Sequence, residues 1–281
     1  MSLLEGKVAI VTGAGGGLGR CHALALAKEG AKVVVNDLGG ARDGSGSATT
    51  PADKVVEEIK AAGGIAVANY DTVGTIAGAG NIVATAVGAF GRVDILVNNA
   101  GILRDKTLLK MEEDWWDSVI SVHLKGMFAV TQAAARRMAE QVANGTADGG
   151  RIINTSSLAG LVGNFGQSNY GTAKAGVAGF TRVTAIELAK FKITVNAIVP
   201  LAKTRMTEDI ALIPDSLRPE CVSPAVVFLA SDLAAGVTGR LFAIEGRAIR
   251  EFRYKATDGA TAAGDMWTPE EISSRIKEIT A

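Results

Sequence analysis

The sequence predicts an α/β fold, a doubly wound parallel sheet with helices on both faces. Three observations carry that expectation. Short β-branched runs alternate with Ala- and Leu-rich helical stretches, a glycine-dense turn joins the first run to the first helix, and hydrophobic residues reach 48% while aromatics are only 5%. An interior of Ala, Val, Ile and Leu, with Gly at close approaches, suits parallel strands covered on both faces. A chain of 281 residues can bury a substantial core, and α/β folds of this length commonly form one domain, so a single domain over residues 1–281 is expected.

Lys7–Thr12 (KVAIVT) is a short apolar run closed by glycines and reads as the first strand. Leu18–Glu29 is helix-like and stops at Gly30, a common helix-ending residue. Lys32–Val35 (KVVV), ending at Asn36-Asp37, completes a βαβ unit of roughly 30 residues, and so long a crossover dictates parallel pairing. Gly39–Thr50 (GGARDGSGSATT) is low in complexity and reads as a surface loop before Pro51 opens the next helix. Alternation continues with a helix at Ala52–Ala61, a strand at Ile65–Tyr70, a helix reaching Phe90 and a strand at Asp94–Asn98. A long helix is expected over Trp115–Val142, broken near Gly126, followed by a strand at Arg151–Thr155 and a second long helix from Ser168 to Lys190. Ile193–Val199 is the sixth strand and Leu241–Glu245 the last. Residues 201–220 between them carry no pattern; an irregular stretch of that length is usually functional or mobile, and a substrate loop is expected there. Residues 247–281 form a C-terminal extension whose helix is announced by Thr268 as cap, Pro269 in the first turn and Glu271 completing a capping box.

Lys plus Arg (29) balances Asp plus Glu (29), so no global field draws the chain to nucleic acid or an anionic membrane, and any anion must be bound locally. Cys21 and Cys221 are isolated, and with His22 and His123 as the only imidazoles no metal site is expected. The chain opens without a signal-type leader and has no run of ~18 apolar residues, so a cytoplasmic location without a membrane span is expected.

Thr12–Gly19 (TGAGGGLG) lies between the first strand and first helix, where free backbone N–H groups and the helix dipole favour a pyrophosphate. Taken alone, such a run is a tight turn; within a βαβ unit it points to a Rossmann-like dinucleotide site, with Gly13, Gly17 and Gly19 as the informative spacing. Asp37 ends the second strand about 20 residues beyond the loop, where a carboxylate accepts hydrogen bonds from adenosine ribose hydroxyls and selects NAD over NADP. The loop offers Gly16 where a base would be needed for a 2′-phosphate, and Arg20 reads as a solvated first-turn side chain.

Tyr170 and Lys174 stand four residues apart on a predicted helix, so both project from one face. An ammonium beside a phenol stabilises phenolate and lowers a pKa of about 10, which lets Tyr170 act as general acid or base nearer neutral pH. Ser157 follows the Arg151–Thr155 strand and can hold a substrate carbinol or carbonyl oxygen beside the phenol, with Ser156 the alternative of the same type.

These motifs together resemble the short-chain dehydrogenase/reductase family over almost the whole chain: TGAGGGLG, NNAG at Asn98–Gly101, Ser157, and YGTAK at Tyr170–Lys174. The resemblance implies substrate polarisation by Ser157, proton transfer by Tyr170, and ribose binding with tuning of Tyr170 by Lys174. Further stretches are similar to the (3R)-hydroxyacyl-CoA dehydrogenase branch found in peroxisomal multifunctional enzymes of type 2: VVNDLGG, ANYDTV, NNAGILRD, GNFGQSNY, RMT at Arg205–Thr207, and WTPEEI. That likeness implies NAD contacts at Gly13, Gly17, Leu18, Gly19, Asp37, Thr72, Val73, Asn99, Gly101, Tyr170, Lys174 and Thr204, an acyl-CoA substrate, and a homodimer or homotetramer built on the two long helices.

Two positions depart from the wider family. His123 stands where most members have Asn, although this branch shares the His, and it either supports a proton-relay water or packs as a core or helix-bend residue. Pro200-Leu201 replaces the usual Pro-Gly after the sixth strand, so the chain path over the nicotinamide is expected to differ. Arg104, Lys106, Lys203 and Arg205 are candidate phosphate contacts unless merely solvated, and Leu108, Met111 and Trp115 line an acyl pocket or simply pack. Three rival functions remain from the sequence: a dehydrogenase of steroids or other bulky alcohols, a 3-oxoacyl reductase, and a cofactor-binding regulatory protein without activity.

Overall fold

The protein is described by a computed structural model over residues 2–204 and 214–281. Eight strands form one sheet: β1 (Val8–Thr12), β2 (Lys32–Asn36), β3 (Ile65–Asn69), β4 (Ile95–Asn98), β5 (Gly150–Thr155), β6 (Ile193–Leu201), β7 (Leu241–Glu245) and β8 (Ala248–Glu251). Their order is β3-β2-β1-β4-β5-β6-β7-β8, with parallel pairing up to β7. This is the predicted doubly wound sheet, with the order reversing between β1 and β4.

Both faces of the sheet are buried, and successive residues alternate between them. Ala9, Val11, Val33, Val35, Val97 and Ile153 join one core, which α1 (Gly17–Lys28), α2 (Thr50–Ala61) and later Ser223–Ala230 cover. Val8, Ile10, Val34, Leu96 and Ile152 join the other, against α3 (Ile76–Phe90) and a helix at Met127–Ala143. Near-continuous apolar strands with small helical residues therefore produce the layered packing directly.

The long helix predicted over Trp115–Val142 is interrupted as expected near Gly126, but by a wider feature. After α4 (Glu113–Ile120) a π-helical stretch spans Ser121–Gly126 before α5 (Met127–Ala143) resumes, and such bulges occur often at functional sites. A short α6 (Leu158–Val162) precedes α7 (Ser168–Glu187) and α8 (Ser223–Ala230). The sixth strand runs two residues further than predicted, through Pro200 and Leu201, because both continue the register against Ile244 and Glu245.

β8 was not anticipated. Gly246, with φ 54, and Arg247 turn the chain so that β8 pairs antiparallel with β7, Phe242 facing Glu251 and Glu245 facing Ala248. Its sequence AIRE is half charged and only partly buried, so it has no apolar pattern to betray a strand. The chain separates into two compact units, Met1–Glu251 and Phe252–Ala281. In the second unit α9 (Pro269–Thr280) is capped by Thr268, whose hydroxyl accepts from Glu271 N at 3.1 Å. The Glu271 carboxylate turns to Ala263 N at 3.0 Å, so the capping box is only half made.

Candidate active site

The crevice at the C-terminal ends of β1 and β4 is where open α/β sheets bind ligands. The chain leaves β1 through Gly13 in the left-handed region (φ 63) and enters α1 behind Gly16. A Cβ on Gly13 would stand 2.7 Å from Ala100 Cα, and one on Gly19 would stand 2.1 Å from Gly13 O. Only glycine fits these approaches. The loop is braced from the segment after β4. Thr12 Oγ1 accepts from Asn99 N at 3.0 Å and Ala100 N at 3.1 Å, while Asn99 Nδ2 donates to Thr12 O and Gly13 O, both at 3.0 Å. Asn99 thus commits its amide protons to the loop rather than to the ligand side. The first-turn residue Leu18 packs on the core beneath, and Thr204 lies across from Gly17, whose Cβ would come 3.9 Å from Thr204 Cβ.

Asp37 sits at the rim of this cradle, half-buried. Its Oδ2 accepts from Gly15 N and its Oδ1 from Gly39 N, each at 2.7 Å, so it ties the glycine loop to the chain leaving β2. Arg20 is not simply solvated, since it pairs with Glu58 of α2. Thr72 and Val73 follow β3; Thr72 Oγ1 accepts from Gly74 N at 3.2 Å, and the buried Val73 packs where a Cβ on Gly126 would meet its Cγ2 at 2.9 Å.

Ser157, Tyr170 and Lys174 come together at the end of β5. Ser157 caps α6, accepting from Ala159 N at 3.3 Å, and its hydroxyl lies near enough to the Tyr170 phenol to favour the phenolate. Ser156 is buried and donates to Lys174 O at 2.8 Å, which removes it from the open side. Lys174 is buried as well; its Nζ donates to Thr155 O at 2.6 Å and lies 5.6 Å from the Tyr170 ring centroid.

The electrostatics differ from the expectation that Lys174 lowers Tyr170. Burial pushes the phenol up to about 12, the Ser157 hydrogen bond opposes the rise, and Asp105 adds to it. Burial also pushes Lys174 down to about 7. Taking both groups out of water disfavours both charged forms.

His123, on the π-helical stretch, meets the Tyr170 ring edge-on, with centroids 5.1 Å apart and planes at 88°. Its Nε2 lies 2.7 Å from Ile102 O and 3.0 Å from Ile102 N, and a neutral ring can serve one of these at a time. Burial, then the Lys174 charge, holds its pKa well below 6.5 against the Ile102 hydrogen bond, so the ring is neutral. A Cβ on Gly101 would come 2.4 Å from His123 Cε1, which makes Gly101 the residue that admits this ring. His123 Nδ1, Asn98 Oδ1 and Thr155 Oγ1 have no partner among the described residues. All three residues line one cavity of about 10 Å³ beside Lys174, room for roughly one water. His123 is thus packed in the core while its Nδ1 faces this cavity.

The candidate substrate contacts divide. Arg104 is engaged, donating through Nε to Asp43 O at 2.9 Å and pairing with Asp114 at 3.2 Å. Lys106 lies over the Trp115 ring at 5.4 Å, and Lys203 N donates to Leu217 O at 2.7 Å. Arg205, Thr207 and much of the predicted substrate loop lie outside the described residues. Leu108 is not core packing, being 72% exposed next to Leu109 at 98%.

Sequence reasoning missed a buried polar chain beneath the site. Asn98 Nδ2 donates to Thr131 Oγ1 at 2.8 Å and to Asn154 Oδ1 at 2.9 Å, and Asn154 Nδ2 donates to Thr181 Oγ1 at 3.0 Å. The available signal was an Asn near the end of two otherwise apolar strands, DILVN and RIINT. Asn169, fully buried at the start of α7, was also passed over.

A family profile described as short chain dehydrogenase matches residues 7–212, and the chain belongs to that family of oxidoreductases. It is similar to peroxisomal multifunctional enzyme type 2 of Drosophila melanogaster, 46% identical over 293 residues, covering 99% of this chain but 47% of the fly protein. It is also 42% identical over 299 residues to a hydroxyacyl-CoA dehydrogenase of Mycobacterium tuberculosis, covering 99% of this chain and 90% of that one. Among solved structures, a short chain dehydrogenase from Mycobacterium avium superposes with a TM-score of 0.88 at 48% identity, covering 99% of this chain and 95% of the other. The chain thus spans about half the length of the fly multifunctional enzyme. Among the described residues no helix is long and apolar enough to cross a membrane, and no three His, Cys, Asp or Glu side chains gather as a metal site.

Proposed function

We propose that this chain is an NAD-dependent dehydrogenase interconverting a secondary alcohol and a ketone, with a (3R)-3-hydroxyacyl thioester of coenzyme A as substrate. The observation that carries the reading is the Ser157–Tyr170–Lys174 cluster, set at the end of β5 beside the glycine cradle. The cradle fits a dinucleotide: Gly13 and Gly19 leave no room for a Cβ, and the Asp37 carboxylate at its rim suits free ribose hydroxyls and repels a 2′-phosphate. Gly13, Gly17, Leu18 and Gly19 would hold the pyrophosphate, Asp37 the adenosine ribose, Thr72, Val73 and Gly101 the ring and linker side, with Asn99 bracing the glycine loop through its amide, and Lys174 with Thr204 the nicotinamide end. When bound, the oxidised cofactor supplies the hydride acceptor and a positive charge.

The chain's own residues handle the proton. Ser157 Oγ holds the carbinol oxygen and Tyr170 Oη takes its proton; the reverse reduction uses the same atoms. The Ser157 hydroxyl favours the phenolate against the burial that raises it, and Lys174, fixed by Thr155 O with its Nζ 5.6 Å from the ring centroid, would add to this in its charged form. Substrate class rests on the named hydroxyacyl-CoA and multifunctional relatives, and the exposed Leu108 and Leu109 suit an acyl chain at the rim. A homo-oligomer belongs to the same reading, because Phe128, Val183 and Ile186 are exposed on the two long helices α5 and α7.

The test is turnover of (3R)- and (3S)-3-hydroxyacyl-CoA, a hydroxysteroid and an acyl-carrier thioester, each with NAD and NADP, followed by nicotinamide absorbance. The (3R)-CoA ester with NAD is expected to win, and Tyr170→Phe to lose on the order of 10²–10⁴-fold in kcat. Turnover of the steroid alone sinks the substrate class, and a fully active Tyr170→Phe sinks the mechanism.

A further inference from the structure

Building on the proton-transfer role of Tyr170 given above, we propose that Asn169 is its positioning residue. Through one buried amide, Asn169 ties the Tyr170 backbone to the same short segment that holds His123 against the phenol ring.

A helix leaves its first N–H groups without intrahelical acceptors. α7 begins at Ser168 without a side-chain cap, and Tyr170 lies in that first turn. Asn169 is fully buried; its Oδ1 accepts from Tyr170 N at 2.7 Å, and its Nδ2 donates to Arg104 O at 2.8 Å and Trp115 O at 3.3 Å. Both amide protons and the carbonyl oxygen are therefore used, and a buried polar group satisfied in this way admits a narrow range of geometry.

The segment it grips is Ile102–Arg104. Ile102 meets His123 Nε2 through both backbone atoms, at 3.0 and 2.7 Å, and that imidazole lies edge-on to Tyr170. Leu103 N donates to Arg42 O at 2.9 Å, and Arg104 Nε donates to Asp43 O at 2.9 Å. Three consecutive residues thus face three ways: to the imidazole, to the loop after β2, and to Asn169. Tyr170 is held at its ring by one end of the segment and at its backbone by the other. That loop begins at Gly39, whose N–H is held by Asp37, so the brace starts at the dinucleotide rim. The phenol's place is set by contacts that never touch the substrate.

Asn169→Ala removes all three bonds. Asn169→Asp is nearly isosteric: its neutral form keeps an acceptor and one donor, whereas its carboxylate sets oxygen against the Arg104 and Trp115 carbonyls. Alcohol oxidation, NAD binding by fluorescence quenching and thermal unfolding would be compared for both variants, the unaltered protein and Tyr170→Phe. Asn169→Ala is expected to lose on the order of 10- to 100-fold in kcat, while the alcohol KM and NAD Kd move less than about threefold. Asn169→Asp is expected to approach the unaltered kcat at acid pH and fall away as pH rises, a limb absent from Asn169→Ala. A kcat for Asn169→Ala within about twofold of the unaltered protein overturns the inference, as does a fall matched by equal loss of NAD binding and folded fraction. If Asn169→Ala does not fold, the pH limb of Asn169→Asp decides, and its absence overturns. An unimpaired Asn169→Ala beside an inactive Tyr170→Phe overturns this inference alone, whereas an active Tyr170→Phe overturns the function on which it rests.

Discussion

Replacing Lys174 by Met should stabilise the ligand-free protein while removing its activity, and the size of the gain follows from the burial of the ammonium. Lys174 is 4% exposed, and burial lowers it from 10.5 to about 7. Between those values the unfolded chain holds a proton that the folded chain has lost, so stability rises with pH across this window. Below about pH 7 both states are charged, and the folded protein bears the full desolvation cost, about 5 kcal/mol for a change of that size. Methionine fills a similar volume without charge, but Thr155 O loses its donor, at about 1–2 kcal/mol. The net gain is about 3 kcal/mol near pH 6, shrinking to nothing or a slight loss towards pH 10. Tyr170 does not confuse the comparison, because its rise from 10.0 to about 12 acts only above pH 10, where it lowers stability. Urea unfolding of both proteins across this range measures the difference as a shift in midpoint. A stability gap that does not narrow with rising pH would refute the assignment of Lys174 as a buried ammonium. A variant that kept its turnover would refute its tuning role.

Gly101→Ala is expected to cost several kcal/mol in unfolding experiments, because its Cβ would stand 2.4 Å from His123 Cε1. Adding His123→Ala should recover part of the loss, giving a coupling of about 1–3 kcal/mol in a double-mutant cycle, and additive losses would show that the two do not meet. Asp37→Ala is expected to raise the KM for NAD on the order of tenfold and to move the NAD/NADP preference towards NADP; an unchanged ratio would remove Asp37 from cofactor selection. Ile186→Glu with Val183→Glu, on the exposed face of α7, should shift the mass in light scattering towards a monomer, and an unchanged mass would place the intersubunit face elsewhere.

What the sequence made legible, and what it did not, follows one physical division. Parallel strands buried on both faces must be apolar throughout, so KVAIVT, KVVV and ITVNAIV announced themselves, and the crossover length then dictated parallel pairing, though not the order of the strands. β8 stayed hidden because an edge strand needs neither an apolar pattern nor length, only a turn such as Gly246-Arg247. In the site, Ser157, Tyr170 and Lys174 could be picked out because their spacing on one strand end and one helix is short-range. Their electrostatics could not, since helix spacing shows that an ammonium is near a phenol but not that both have left water. Asn169 was the most hidden. Asn in a first helical turn usually reads as local capping, and its partners Arg104 and Trp115 lie 65 and 54 residues away. The same argument explains His123: a residue chosen for what it packs between, Gly101, Ile102 and Tyr170, carries no periodic mark. Groups set at short range are thus readable from local spacing, whereas the groups that brace them are readable only once the chain has brought distant segments into hydrogen-bonding range.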